Sequence, residues 1–402
     1  MVVQEVLGNQ RTLYILRTQM KKKILFINGH LNTGGVEKAL LDVLTHLDYD
    51  RYSVDLLLLE HLGHYANQLP HQVNVMLRSI EGTYGPLAKV IKTNIRNRNW
   101  LNLKMRWILL LVKLFGQNWI GLAKQLLTNG TNYDCVIGFR PGLCTQIAVF
   151  ATNADRRITW WHHGEINVDQ KTYIEASQHC DCVVVVSDSC RHMLEKEFPI
   201  LADKMITIPN MVDIQSVRQK GNLFDPYPDK DVLHIVSVGR LASEKHFENA
   251  IYTAGQLKKH GLAFQWHLVG DGALRDELRQ KAEELDVTDC FIFEGNQVNP
   301  YPYMKHADLF VHPSYVESFG IVVAEALALG VPCVVSESMG VMDFLVDGKN
   351  AIVAEPSPDS LAKKVVEALQ NNELRAWLHK NAHCPEAFLP AVVMNKIDDL
   401  LI

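Results

Sequence analysis

Short apolar runs alternate with segments of helical spacing along most of the chain. Runs such as Ile24–Asn28, Asp134–Phe139 and Phe264–Val269 predict buried strands, whereas Glu37–Leu47 and Phe247–His260 predict helices. Because strands that alternate with helices form parallel sheets, we expect an α/β protein. The alternation restarts after a polar, proline-containing segment, which predicts two doubly wound, Rossmann-like domains.

The same pattern places the domain boundaries. We predict a first domain at 21–212, a linker at 213–230, a second domain at 231–380, and a tail at 381–402 that crosses back onto the first domain. Residues 1–20 fit no element, so they are predicted to be a disordered extension, or the product of a start site upstream of Met20. The other predicted strands are Tyr52–Glu60, Val73–Leu77, Ile158–Trp161, Cys182–Ser187, Met205–Asn210, Val232–Val238 and Phe291–Phe293, and Leu274–Leu285 is a further helix.

Composition agrees with an ordinary globular protein that has two cores. The 402 residues are 48% hydrophobic and 21% charged, with a net charge of −5. Eight scattered cysteines include no C-x-x-C pair, which indicates reduced thiols and a cytoplasmic location. We identify no secretory signal.

One strand–loop–helix–strand unit, residues 309–336, organises the second half of the chain. Leu309–Val311 predicts a strand end, and Gly320 begins a helix that Gly330 and Pro332 end. In a parallel α/β sheet such a unit places a helix N-terminus at the carboxyl edge, where backbone N–H groups can hold a phosphate. Phe319 and Gly320 would offer those groups.

Two glutamates in this unit are candidate ligand-binding residues. Glu317 precedes the helix, and Glu325 is the only charged residue between Glu317 and Glu337. A lone carboxylate in an apolar helix is costly unless a partner satisfies it. Both carboxylates could accept hydrogen bonds from the hydroxyls of a bound polyol. In the alternative, Glu317 is solvated and Glu325 caps a neighbouring element.

Two further turns combine glycine with charge. Gly34 and Gly35 follow the first strand, where they either let the backbone approach a ligand or form a plain tight turn. Gly239 follows a strand and is accompanied by Arg240 and Lys245. Two cations beside a glycine can clamp a diphosphate, whereas the alternative is surface charge at a helix start.

Histidines occur at the carboxyl end of one strand, in His162-His163-Gly164-Glu165. This position predicts the rim of a binding site, although a structural histidine is the alternative. The sequence leaves open whether His162 or His163 faces a ligand, and we favour His163.

Residues 82–133 contain no Asp or Glu but eight Lys or Arg residues, together with Trp100, Trp107 and Trp119. A basic, tryptophan-bearing helical stretch suits an anionic membrane surface, and its apolar run is too short to span a bilayer. The alternative is a pair of core-facing helices with a solvated basic face. We expect no nucleic acid partner, because no binding module is visible.

We predict no metal site. Asp48-Tyr-Asp50 and Asp229-Lys-Asp231 have the spacing of a metal-binding D-x-D pair. The first lies at a helix end that precedes a strand rather than following one, and the second lies in the predicted linker.

The sequence E-S-F-G-x4-E-A-x-A-x-G-x-P at Glu317–Pro332 resembles the glutamate motif of retaining glycosyltransferases of family 4. The resemblance extends over about residues 21–400. It implies the GT-B fold, in which two Rossmann-like domains face each other across a cleft. The first domain would then lie on the acceptor side, and 231–380 would bind a nucleotide-sugar donor.

The resemblance also implies roles for individual residues. Arg240 and Lys245 would stabilise the departing diphosphate, Glu317 would hold donor-sugar hydroxyls, and Glu325 would hold the ribose. His163 would lie near the donor sugar, and Glu37 matches the glutamate of the family's G-G-x-E loop. The remaining donor-binding residues would be Gly34, Gly35, Gly239, Gly270, Asp271, Asn296, Ser318, Phe319 and Gly320.

The implied activity is metal-independent and cofactor-independent transfer of a sugar from a nucleotide-sugar to a saccharide acceptor, with retention of configuration. Residues 82–133 favour a lipid-linked acceptor at the inner face of the cell membrane, as in capsular or exopolysaccharide synthesis. The alternative is an inactive, glycosyltransferase-like scaffold or sugar-binding subunit. A phosphorylase of this fold would require a longer chain and a cofactor lysine. The sequence does not specify the donor base, the donor sugar or the acceptor linkage.

Overall fold

The structure is a computed structural model that describes residues 21–166, 174–229 and 231–401. The predicted disordered extension, residues 1–20, lies outside the described residues. Among the described residues, no helix is both long enough and apolar enough to cross a membrane.

The first sheet has seven strands in the order β3-β2-β1-β4-β5-β6-β7. β1 pairs in parallel with β2 and with β4, so that Ile24 lies opposite Val54 on one side and Cys135 on the other. The strands are β1 Lys22–Asn28, β2 Tyr52–Leu58, β3 Asn74–Leu77, β4 Asn132–Gly138, β5 Asn153–Trp161, β6 Cys182–Val185 and β7 Met205–Thr207. The helices that follow in this part of the chain are α1 Gly35–His46, α2 Leu87–Arg96, α3 Trp100–Phe115, α4 Lys124–Thr128, α5 Leu143–Phe150 and α6 Asp188–Glu197.

The second sheet has six strands in the order β10-β9-β8-β11-β12-β13, all paired in parallel. The strands are β8 Leu233–Val238, β9 Phe264–Val269, β10 Phe291–Gly295, β11 Leu309–His312, β12 Cys333–Ser336 and β13 Ile352–Ala354. The helices are α7 Ile214–Gly221, α8 Phe247–Lys259, α9 Arg275–Glu284, α10 Tyr301–Lys305, α11 Ile321–Leu329, α12 Pro358–Gln370, α13 Asn372–Asn381 and α14 Pro390–Leu401. The predicted α/β class with two parallel sheets is therefore confirmed.

The chain forms two compact units. One holds the described residues up to Trp161, those between Asn167 and Val184, and Leu401. The other holds His162–Ile166 and the described residues of Val185–Leu400. In the first unit, the Lys22 side chain donates to the Leu401 carbonyl at 3.4 Å.

Each sheet has its own apolar core. In the first unit, Leu25 and Ile27 of β1 pack with Met105 and Ile108 of α3. In the second unit, Trp266 of β9 is fully buried among the side chains of helices α8, α9 and α12. A fully buried apolar side chain of this size stabilises the fold by about 1.5–3 kcal/mol, so these clusters hold the loops at the strand ends in place.

The segment predicted as a linker contains helix α7. Asp213 caps this helix by accepting from the Ser216 N–H at 3.0 Å, and Arg218 donates to the Ala328 carbonyl at 2.8 Å. Only Val217 and Gly221 of α7 are buried. Two buried positions are too few to produce a recognisable helical period, which is why the prediction missed this helix.

Candidate active site

The predicted strand–loop–helix–strand unit is confirmed as β11, α11 and β12. Gly320 precedes α11 with φ +81°, and a Cβ atom there would lie 2.4 Å from Val341 Cγ1. Gly330 ends the helix, also in the left-handed region at φ +75°. Only glycine adopts both conformations at low cost, so the two glycines set the start and end of the helix.

Glu317 is buried at the loop before α11 and has two cationic or polar partners. Lys245 Nζ lies 2.5 Å and His312 Nε2 lies 2.7 Å from its Oε1 atom. The Glu317 side chain is 10% exposed, so the alternative in which this carboxylate is solvated is wrong. Both contacts use Oε1, and Oε2 receives no hydrogen bond from the residues that the structure describes. Oε2 can therefore accept from a ligand.

The surroundings of Glu317 keep it ionised. Burial alone would raise the pKa of this carboxyl, but the Lys245 charge and the His312 hydrogen bond outweigh it and lower the pKa to about 2. Glu317 is consequently an acceptor at any pH at which the protein would be assayed.

His312 was not predicted from the sequence. It ends β11, its side chain is 1% exposed, and its Nδ1 atom has no hydrogen-bond partner among the residues that the structure describes. The signal that identified His162 and His163, a histidine at the carboxyl end of a strand, also applies to His312. His312 directly follows the predicted strand end Leu309–Val311, so this signal could have identified it.

Lys245 and Arg240 follow β8 but have different surroundings. Lys245 ends a short 3-10 turn, and Ser314 donates to the Glu244 carbonyl of that turn at 2.8 Å, which ties it to the loop after β11. Arg240 is 62% exposed and pairs with Glu244 at 2.8 Å. The structure thus brings Lys245, but not Arg240, into contact with Glu317.

Glycine turns after β8, β9 and β10 are packed backbone to backbone. A Cβ atom on Gly270, where φ is +145°, would lie 1.9 Å from the Gly239 carbonyl oxygen. The Gly270 N–H donates to the Gly295 carbonyl at 2.8 Å, and the Leu241 N–H donates to the Asp271 carbonyl at 3.0 Å. The predicted residues Gly239, Gly270 and Asp271 therefore share one edge of the sheet, and the exposed Asn296 follows Gly295.

Phe319 lies in the loop just before α11, and Glu325 lies within the helix. Their side chains have different surroundings. Glu325 is buried and accepts from the Tyr301 hydroxyl at 2.7 Å. The Phe319 ring is buried against Phe344 and Phe388, with centroid distances of 5.7 and 4.8 Å. The Phe319 side chain thus anchors the loop, and only its backbone can contact a ligand.

The His162–Gly164 segment packs against the Glu317 loop. Ser318 Oγ donates to the His162 carbonyl at 2.7 Å, and Cys190 Sγ donates to the His163 carbonyl at 3.5 Å. A Cβ atom on Gly164 would lie 2.9 Å from the Glu317 carbonyl carbon, so only glycine fits there. The choice of His163 over His162 as the ligand-facing side chain stays a prediction.

Gly34 and Gly35 lie in the first unit, at the start of α1. A Cβ atom on Gly34 would lie 2.4 Å from Glu37 Oε2, and Glu37 is buried. The Glu37 carboxylate therefore lies directly against the Gly34 backbone.

In each of the two D-x-D sequences, the first aspartate closes a turn by accepting from a backbone N–H two residues later. Asp48 Oδ1 accepts from the Asp50 N–H, and Asp229 Oδ1 accepts from the Asp231 N–H, both at 2.9 Å. Among the described residues, Glu60, His61 and Glu81 of the first unit have ligand atoms within 4.8 Å of one another, and this group could hold a cation.

Two family models match consecutive parts of the chain. The model described as Glycosyltransferase Family 4 matches residues 33–216, and Glycosyl transferases group 1 matches residues 221–383. The lipopolysaccharide core biosynthesis glycosyltransferase LpsE of Rhizobium meliloti is 31% identical over 150 residues, which are 37% of this chain and 43% of LpsE. The chain thus spans less than half the length of this relative.

A second relative aligns over nearly the whole chain. It is the N-acetylgalactosamine-N,N'-diacetylbacillosaminyl-diphospho-undecaprenol 4-alpha-N-acetylgalactosaminyltransferase of Campylobacter jejuni, 23% identical over 92% of this chain and 96% of the relative. Among solved structures, HepE of Anabaena in complex with UDP and glucose superposes with a TM-score of 0.70 at 18% identity, covering 94% of this chain and 99% of HepE. TarM of S. aureus also superposes, with a TM-score of 0.68 at 14% identity, over 95% of this chain and 99% of TarM.

The family models and the solved structures point to the same two-sheet α/β fold that is described above. The chain therefore belongs to the glycosyltransferases of the GT-B fold, with a family 4 domain followed by a group 1 domain.

Proposed function

We propose that this protein transfers a sugar from a nucleotide-sugar donor to a saccharide acceptor, with retention of configuration at the donor carbon. The observation that carries the proposal is the Glu317 cluster. An ionised, buried carboxylate is held by Lys245 and His312 through Oε1, and Oε2 is left to accept a hydrogen bond. Such a preorganised acceptor beside a cation matches a ligand that has hydroxyls next to phosphate.

In this proposal, the cations stabilise the leaving group. The Lys245 ammonium has three N–H donors, of which one bonds to Glu317 and two can reach diphosphate oxygens. Arg240 is exposed, so its guanidinium can leave Glu244 and bind phosphate without a large desolvation cost. Charge that develops on the diphosphate is thereby neutralised by protein groups, and we propose that no metal is needed. The acceptor attacks the face that the diphosphate leaves, and a diphosphate oxygen takes its proton.

The other assignments rest on position. Glu325, oriented by Tyr301, would accept from the ribose hydroxyls, and Gly270, Asp271 and Asn296 would line the nucleoside pocket. His163 would contact the donor sugar. We assign no protein nucleophile.

We further propose a lipid-linked acceptor, because of the outward face of α3. One side of this helix is buried through Asn102, Met105 and Ile108. Side chains that are 39–65% exposed on the other side and just beyond the helix are Trp100, Trp107, Leu110, Leu114, Phe115, Trp119 and Leu122. An ordinary core-facing helix would present polar residues there, so the exposed aromatic and aliphatic groups favour insertion into a lipid surface.

Charge in the same region favours an anionic surface. Six of the eight basic residues are exposed: Lys89, Lys92, Arg96, Arg98, Lys104 and Lys113. The other two have partners inside the unit, since Arg106 donates to the Thr83 carbonyl and Lys124 donates to Asn153. The Campylobacter relative is named for a diphospho-undecaprenol acceptor, which also supports this proposal. The protein would then work in the cytoplasm, at the inner face of the cell membrane, in capsular or exopolysaccharide synthesis.

A donor screen tests the proposed function. Purified protein would be incubated with a panel of nucleotide-sugars, with or without a bacterial lipid extract, and released nucleotide diphosphate would be quantified. We expect release from one donor, stimulated by the extract and lost in Glu317→Ala. Nucleotide binding without release, with any donor and extract, would instead favour the inactive scaffold.

A further inference from the structure

A chain of hydrogen bonds crosses the face of the second sheet that is opposite Trp266. His234 Nε2 lies 2.5 Å from the Asp229 carbonyl oxygen, and His234 Nδ1 lies 3.2 Å from His267 Nε2. His267 Nδ1 lies 2.7 Å from Glu294 Oε1. Both imidazoles are buried, with 3% and 4% exposure, so water does not complete these contacts.

Counting hydrogens shows that two neutral imidazoles and an ionised Glu294 carboxylate cannot satisfy all three contacts. Three contacts require three hydrogens, and the two ends, a carbonyl and a carboxylate oxygen, can only accept. Two neutral imidazoles carry one N–H each. In any arrangement of tautomers, one contact would therefore place two lone pairs against each other in a buried site, which is costly.

We propose that His234 and His267 share one additional proton, held as an imidazolium against the Glu294 carboxylate. The groups that face the pair favour this charge. Asp308 Oδ2 accepts from the backbone N–H of His234 at 2.8 Å. The Tyr227 ring stacks on the His234 imidazole with a centroid distance of 4.2 Å and contacts the His267 imidazole in a tilted arrangement at 4.4 Å. Burial and the Glu294 charge raise the pKa of Tyr227, so its hydroxyl stays neutral and donates to the Tyr303 carbonyl at 2.7 Å. Nearby, Asp225 Oδ2 lies 3.6 Å from His306 Nδ1.

The proton positions a turn at the carboxyl edge of the sheet. The Glu294 side chain is held by His267, and the backbone carbonyl of Glu294 accepts from Gln297 Nε2 at 2.8 Å. The next residue, Gly295, accepts from the Gly270 N–H. His267 is thus a positioning residue for residues 294–297. The shared proton is independent of the proposed function, whereas its effect on a nucleoside near Asn296 rests on that function.

The substitution Glu294→Gln keeps the three hydrogen bonds but removes the need for the additional proton. A glutamine amide can donate to His267 Nδ1, so this variant completes all three contacts with neutral imidazoles. A shared imidazolium stabilises the folded state at low pH, and this stabilisation is lost as the pH rises and the proton leaves. Between pH 6 and pH 9, we expect the Tm of the wild type to fall about 3 °C more than that of Glu294→Gln.

The matched control is Glu283→Gln, an exposed glutamate on α9, which should follow the wild type. Hydrogen exchange of the peptide spanning 291–298 gives a local readout. At pH 9 the wild type should exchange faster than Glu294→Gln at the same pH, and at pH 6 the two should agree. Parallel Tm profiles, with peptides that exchange alike at both pH values, would overturn the proposal.

A second measurement covers the case in which Glu294→Gln does not fold. In wild-type protein labelled with ¹⁵N-histidine, one buried histidine should show imidazolium ¹⁵N shifts at pH 8, and its signal should be absent from His267→Gln. Two buried neutral imidazoles at pH 8 would overturn the proposal.

Discussion

Lys245 Nζ and Glu317 Oε1 lie 2.5 Å apart, although the two residues are separated by 72 positions in the chain. Lys245 follows β8 and Glu317 follows β11, and these strands are neighbours in the second sheet. Adjacent parallel strands bring the residues that follow them to one edge. The pair therefore joins the two motifs that the sequence analysis had selected independently.

The proposed clamp predicts that Lys245→Ala and Arg240→Ala each reduce turnover strongly. Loss of a charge-assisted bond to a leaving group raises the barrier by about 2–4 kcal/mol. Arg240→Ala should leave the Tm unchanged, because the side chain is 62% exposed, whereas Lys245→Ala should also lower it. The measurements are steady-state rates and thermal unfolding. Lys281→Ala on α9 is the control, and near-normal rates in both clamp variants would refute the assignment.

The lowered pKa of Glu317 predicts stability that is lost only in strong acid. Because the folded value is about 2 and the ordinary value is 4.5, the contribution is present above about pH 4.5 and is lost as the pH falls towards 2. Thermal unfolding of the wild type and Glu317→Gln should therefore converge over this range. A Tm difference that is independent of pH from 5 to 2 would contradict the ionised state of Glu317.

His312 is predicted to hold Glu317 in position. His312→Phe keeps a buried ring but removes the Nε2 donor, so we expect turnover to fall by about 10-fold to 100-fold. His312→Gln retains a donor and should recover part of the loss. His260→Phe, at the exposed end of α8, is the control. Equal rates in His312→Phe and the wild type would exclude this role.

Transfer is predicted to survive EDTA, because Lys245 and Arg240 supply positive charge at the diphosphate. The assay compares rates before and after chelation, followed by addition of Mg²⁺ or Mn²⁺. Abolition by EDTA with rescue by either ion would show that a metal is required. Glu81→Gln would then test whether the group of Glu60, His61 and Glu81 holds it.

The outward face of α3 is predicted to bind anionic membranes. Each exposed Lys or Arg near the surface contributes about 1 kcal/mol, and this contribution falls with salt. Vesicle co-sedimentation would compare the wild type with a variant in which Arg96, Arg98, Lys104 and Lys113 are replaced by Gln. Arg106 is kept, because it supports the Thr83–Gly85 turn.

A second variant, Trp100→Ser with Trp107→Ser, tests the apolar part of the same face. We expect both variants to pellet less than the wild type at low salt, and the wild type to be released at high salt. Equal pelleting of all three proteins, or pelleting of none, would remove the main support for a lipid-linked acceptor.

Local patterns in the sequence predicted most elements of the second unit. Phe264–Val269 was predicted with the observed bounds, and Gly320 and Gly330 correctly marked the ends of α11. Such signals are local. The apolar period of a strand (two residues) or of a helix (3.6 residues) and the positive φ of a glycine depend only on neighbouring residues. Helices α6, α7, α10, α12, α13 and α14 and strand β13 were not predicted. For α7 and β13 the signal is weak, since α7 has two buried positions and β13 has three residues.

By itself, the sequence determined the α/β class, the repeat of the strand–helix pattern, and the identity of Glu317, Lys245 and Arg240 as candidate site residues. Only the tertiary structure decided which of them touch. It placed His312 against Glu317, turned Arg240 towards Glu244, and assembled the His234–His267–Glu294 chain from three strands. The physical reason is that strand order brings distant residues together, and contacts between strands leave no period in the sequence.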